Sequence, residues 1–247
     1  MFKRFAGAIA ARSMLLERCL PLKDTEDLDT SSAVDRVSAA EIRSPANLPA
    51  FDRSAMDGFA VRSDDTRGAR PHAPRFIQDF IPLRTGMAVP RGYDAVVMLE
   101  DAMVRGQVLE VKAEVHPHKN VARTGEDVME GDTIFPEGHR LRPPDLALLS
   151  ALGIGKVKVY AKPSAVIIPT GGELVDAGSR NLMPGEAYEI NGLMARLYAE
   201  KWGAYACKTE IVPDDEELIR EAIRSNLDAD MIIIIGGTSV GEKDYAP

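Results

Sequence analysis

Cysteine is scarce: Cys19 and Cys207 are the only two among 247 residues. They stand far apart and form no Cys-x-x-Cys pair, which argues against a disulfide framework and a structural zinc site. The same scarcity fits a reducing compartment, so a cytoplasmic location is expected. Long apolar runs are also missing; none approaches the roughly 20 residues a membrane helix needs. A basic excess is missing too. Lys and Arg number 30 against 38 Asp and Glu, a net charge of −8, which argues against a general nucleic-acid binder. No internal repeat or low-complexity segment is evident. What is there is the composition of a globular protein, 45% hydrophobic and 28% charged, long enough for one large domain or two to three small ones. At the N-terminus, Lys3 and Arg4 precede the apolar Phe5 to Ala11, but Arg12, Glu17 and Arg18 follow. This pattern reads as a surface-docked amphipathic helix over about 5–19 rather than a secretory signal.

The texture changes twice along the chain. Residues 1–50 read as helical and linker sequence, with a second short helix over about 31–42 and extended chain around Pro45 and Pro49. Residues 51–160 read as small β-rich modules. Short strands are expected at 95–99, 108–111, 133–135 and 157–160, with a turn at Phe135-Pro136-Glu137-Gly138 that uses Gly as its fourth residue. One helix, about 144–152, interrupts and closes at Gly153. Residues 161–247 read as β-α-β-α-β: strands at 165–168, within 204–212 and at 231–235, with a helix over 191–202 stopped by Gly203. Trp202 is expected in the core. Asp214 is expected to cap the second helix, with Glu217 as its box partner. Each crossover is long enough for a parallel pair. The fold class is therefore α/β plus β-rich modules. The parallel unit stops after so apolar a third strand that it is expected to be incomplete.

Two loops of that unit sit at the carboxyl ends of its strands, where ligands of open α/β sheets bind. One is Pro169-Thr170-Gly171-Gly172-Glu173; the other runs from Gly236 through Gly237, Thr238 and Ser239 to Asp244. Glycine amides can approach a phosphate there, and Glu173 and Asp244 can face a cation. A third motif, Ser54-Ala55-Met56-Asp57-Gly58, joins a carboxylate to a glycine. A bland reading exists for each: a tight turn for Gly-Gly-Thr-Ser, a local cap for each carboxylate, a structural turn for Asp57. His116-Pro117-His118 reads as surface polar sequence, since a metal site needs further ligands.

In order along the chain, Phe51 to Val61, Thr85-Gly86, Val89-Pro90, Asp94 to Val97, Gly125-Glu126-Asp127, Ser150 to Ile154, Thr170 to Leu174, Tyr188 with Asn191, Asp214-Asp215 and Gly236 to Tyr245 resemble the MoeA family of molybdopterin molybdenumtransferases. The animal counterpart is the E domain of gephyrin. The resemblance covers nearly the whole chain from about residue 28. Gly172 departs from it, standing where the family carries an aspartate. The resemblance implies insertion of molybdate, or tungstate, into adenylylated molybdopterin with cleavage of the adenylate, a divalent metal such as Mg2+, and an elongated homodimer that shares its sites between subunits. By motif match, Asp57, Thr85 and Asp127 are the catalytic positions. Thr170, Gly236, Gly237, Thr238 and Ser239 bind the pterin, and Glu173 and Asp244 hold the metal. The family also has the rest of the α/β domain and a final small β domain, which this pattern lacks. The alternative is a dimerising or pterin-binding module without turnover.

Overall fold

The computed structural model describes residues 7–236. It divides into two compact units, Asp27–Lys158 and a second formed by Met1–Glu26 with Val159–Pro247.

The 27–158 unit is built from short antiparallel strands. Gly58–Val61 lies between Ile81–Leu83 and Ala95–Met98, and Val108–Val111 lies between Arg75–Ile77 and Ala102–Arg105. Successive side chains on a strand point to opposite faces. Phe59, Val61, Ala95 and Val97 therefore pack with Ile77, Leu109 and Val111, while Ala60 and Val96 pack with Leu83 and Val121. The central strand is apolar throughout because both of its faces are covered. Each fully buried aliphatic side chain of this kind contributes about 1.5–3 kcal/mol. The helix Pro143–Ala151 starts with proline in its first turn, and Gly153 follows it with φ +75°.

The expected helix over 31–42 does not form. Only a 3-10 turn, Thr30–Ser32, is present, and Asp35 takes a φ of +62°. The segment pairs over a long range instead: Val37 bridges Arg140, Ser38 N–H donates to the His139 carbonyl, and Ile42–Arg43 pairs with Thr133–Phe135. The turn near 135 is shifted by one residue. His139 N–H donates to the Pro136 carbonyl, so Gly138 is the third residue of the turn.

The second unit holds a parallel three-stranded sheet in the order Tyr205–Lys208, Ser164–Pro169, Met231–Ile235, with helices Asn191–Lys201 and Glu216–Arg224 as crossovers. Val166, Ile168, Val212 and Ile219 form a core extended by Ala222, Ile223, Ile232 and Ile234. Three details differ from expectation. Trp202 is 76% exposed, its ring beside that of Tyr198. The cap of Glu216–Arg224 is Asp215, whose carboxylate accepts from the backbone N–H groups of Glu217 and Leu218. The N-terminal helix Ala8–Arg18 forms, but none of its residues is buried, so it is not docked by an apolar face among the described residues. No described helix is long and apolar enough to cross a membrane.

Candidate functional site

In the 27–158 unit, residues 52–57 form a spine between two neighbouring segments. Ser54 lies opposite Val121 on one side. On the other, its N–H donates to the Met87 carbonyl and its own carbonyl accepts from Gly86 N–H, both at 2.8 Å. The spine ends at Asp57. One oxygen of this exposed carboxylate, Oδ1, accepts from Thr85 twice, at 2.7 Å from the backbone N–H and 2.9 Å from the hydroxyl. Gly58 must follow, because a Cβ there would lie 2.1 Å from the Val97 carbonyl oxygen. The Thr85 N–H, then its hydroxyl, hold the Asp57 carboxyl below its ordinary range, so it is ionised near neutrality.

The same unit does not bring Asp127 to this pair. Asp127 N–H donates to the Leu48 carbonyl at 3.0 Å, and Val128 bridges Leu48. Since Val121 pairs with Ser54, Asp57 and Asp127 lie at opposite ends of the ladder. A second aspartate–threonine pair was not anticipated from the sequence. Asp52 Oδ1 accepts from the N–H and hydroxyl of Thr124, at 2.7 and 2.8 Å. The Thr-Gly dipeptide recurs at 85–86, 124–125 and 170–171, and in the first two the threonine is paired with an aspartate.

In the α/β unit, Thr170 and Gly236 follow adjacent parallel strands and come together. Thr170 N–H donates to the Ile235 carbonyl at 2.7 Å, and its hydroxyl reaches the same carbonyl at 3.3 Å. A Cβ on Gly236 would lie 2.2 Å from Thr170 Oγ1. Gly171 N–H donates to the Val212 carbonyl, and Gly172 N–H to Asp214 Oδ2 at 3.1 Å. Asp214 therefore braces the glycine loop rather than capping the helix. Glu173 is exposed on this loop, and its carbonyl accepts from Ala187 N–H. Gly237, Thr238, Ser239 and Asp244 lie outside the described residues. Glu189 is a further buried acid, accepting from the N–H groups of Gly192 and Leu193 at the start of Asn191–Lys201.

Among the described residues no group of three or more His, Cys, Asp or Glu could hold a metal. Asp214 and the exposed Glu173 are hard oxygen donors at one strand end.

A parallel β-α-β-α-β unit whose strand-end loops are glycine-rich, carried with antiparallel β modules, defines an α/β ligand-binding protein. Residues 8–153 match the family described as MoeA N-terminal region (domain I and II), and residues 166–247 match the "Probable molybdopterin binding domain" family. The chain belongs to the MoeA family. It is 36% identical to the molybdopterin molybdenumtransferase of Haemophilus influenzae over 95% of this chain and 62% of that protein. It is 32% identical to molybdopterin molybdenumtransferase 2 of Mycobacterium tuberculosis over 92% of this chain and 60% of that protein. The crystal structure of the molybdopterin biosynthesis MoeA protein from Pyrococcus horikoshii OT3 superposes with a TM-score of 0.86 at 34% identity, covering 92% of this chain and 65% of that one. The chain thus spans about three-fifths of the length of the curated relatives it matches.

Proposed function

We propose that the protein acts in molybdenum cofactor biosynthesis, inserting molybdate into adenylylated molybdopterin with release of AMP. The observation that carries this reading is the meeting of Thr170 and Gly236 at the carboxyl end of the parallel sheet. It stands in a chain matched along its length by the MoeA N-terminal and molybdopterin-binding families. In this reading Gly236, Gly237, Thr238 and Ser239 bind the pterin phosphate through backbone N–H groups without an intervening side chain, and Thr170, whose own N–H and hydroxyl go to the Ile235 carbonyl, lines the same pterin site beside Gly236. Glu173 and Asp244 hold Mg2+, which when bound offsets the charge of the phosphates. Asp57, ionised and held by Thr85, faces the reacting phosphate and the oxyanion of the other subunit's site, and acts there by accepting hydrogen bonds rather than by giving a proton. Asp127 joins the catalytic set by its family match. Molybdate and tungstate are both tetrahedral dianions, and either serves as substrate on this chemistry. The working form is a cytoplasmic homodimer.

A second reading is a pterin-binding or dimerising module without turnover. The mass of the chain in its source cells separates the two: a longer product supports the enzyme. Calorimetry of adenylylated molybdopterin with and without magnesium tests the site itself. The proposal expects binding to depend on magnesium and Asp244→Asn to weaken that dependence. Equal affinity under both conditions removes the metal assignment.

A further inference from the structure

The turn that leads to Asp127 is fastened at every backbone N–H although it lies at the surface. Arg123 N–H donates to the Glu126 carboxylate at 2.8 Å, Glu126 N–H to the Arg123 carbonyl at 3.0 Å, Gly125 N–H to the Pro49 carbonyl at 3.0 Å and Asp127 N–H to the Leu48 carbonyl at 3.0 Å. The remaining N–H, that of Thr124, goes with the Thr124 hydroxyl to a single oxygen of Asp52. The Asp127 carboxylate itself is exposed and accepts no hydrogen bond from the described residues. A backbone so fully tied, carrying a carboxylate left free, has the form of a preorganised reactive group with a supporting shell. Asp57 and Thr85 show the same device at the other end of the spine: one carboxylate oxygen, a threonine N–H and hydroxyl, and a following glycine of positive φ, +87° at Gly86 and +71° at Gly125.

We infer that Asp52 is a positioning residue for Asp127, acting through Thr124. The inference rests on the catalytic reading of Asp127 given above. Asp52 touches no reacting atom in this account. It fixes where the turn 123–126 sets the Asp127 carboxylate. The two hydrogen bonds from Thr124 also hold the Asp52 carboxyl below its ordinary range, so the clamp is charged and charge-assisted at neutral pH.

The test is steady-state molybdenum transfer by the complete gene product, with melting temperature read beside it. Asp52→Ala is expected to lower kcat about tenfold or more while KM for adenylylated molybdopterin stays within about twofold, because geometry rather than binding is lost. Asp52→Asn keeps an oxygen that can accept from both Thr124 donors and is expected to restore most of the rate. Asp52→Ala combined with Asp127→Ala is expected to be no slower than Asp127→Ala alone. Unchanged kcat in Asp52→Ala, or losses that multiply in the double variant, overturns the inference. If Asp52→Ala does not fold, Thr124→Val carries the test, since it removes one donor, keeps the other and is expected to slow turnover partially; full turnover overturns the inference. Asp127→Ala with full turnover removes the reading on which the inference rests, and that single variant tells the two failures apart.

Discussion

Gly236 and Thr170 approach so closely that a Cβ on the glycine would lie 2.2 Å from the threonine Oγ1 and 2.3 Å from its carbonyl oxygen. The second contact is with backbone, which a rotamer change cannot relieve. Gly236→Ala is therefore expected to push the two strand-end loops apart. Affinity for adenylylated molybdopterin should fall about tenfold or more, roughly 1.4 kcal/mol. Calorimetry of the complete gene product reads this directly, and unchanged affinity would remove this junction from the site.

Asp57→Ala is expected to lower molybdenum transfer about tenfold or more while the protein stays folded. The carboxylate is exposed and its partners lie in one surface loop, so the core packed by Phe59 and Val97 is untouched. The check is turnover beside melting temperature. Full turnover at an unchanged melting temperature sinks the assignment.

Asp145 lies buried at the start of Pro143–Ala151. It accepts from Arg142 through the backbone N–H at 2.9 Å, Nε at 3.0 Å and Nη2 at 3.0 Å, and His139 Nε2 lies at 2.9 Å. The Arg142 guanidinium, first among several causes, holds this carboxyl far below its ordinary range. Asp145→Ala is expected to cost about 1–2 kcal/mol of stability, the scale of a lost helix cap. Denaturant unfolding measures it, and a change within about 0.5 kcal/mol would show the cap to be dispensable.

Acid should loosen one loop before it reaches the core. Glu186 is gripped by Arg180 at 2.5 and 2.6 Å, and also accepts from Met183 N–H. The Arg180 pair first, and that N–H second, hold its carboxyl down from 4.5 to about 2. A carboxyl lowered by folding contributes stability above its unfolded value and loses it as pH falls through the folded one. Amide protection over 179–188 should therefore hold from neutrality to about pH 4.5 and decline toward about pH 2. Arg180→Ala should remove this decline by lowering protection at neutral pH. Protection independent of Arg180 would contradict the assignment.

The sequence reveals the parallel sheet because apolar runs favour its strands; Ser164–Pro169 is buried as expected, whereas Met231–Ile235 lies at the edge of the described sheet with Met231 exposed and the rest half-buried. It reveals the stops at Gly153 and Gly203 because positive φ, +75° and +102°, is a local property of glycine. The segment 31–42 misleads because its partners lie about a hundred residues away, as in the Ser38 hydroxyl bond to the Pro136 carbonyl. Asp214 and Asp215 are both competent caps, and only the tertiary position of Gly172 assigns one to the loop and the other to the helix. Trp202 looks like core by residue type, yet it stands exposed beside Tyr198. The Asp57–Thr85 contact spans 28 residues; the family motif singles out both members, but no local pattern joins them.

AMP release from adenylylated molybdopterin by the complete gene product, with and without molybdate and magnesium, tests the transferase reaction directly. AMP release is expected to require both, accompanied by molybdenum bound to the pterin. Tight binding of the adenylylated pterin with no AMP released under any of these conditions would contradict it.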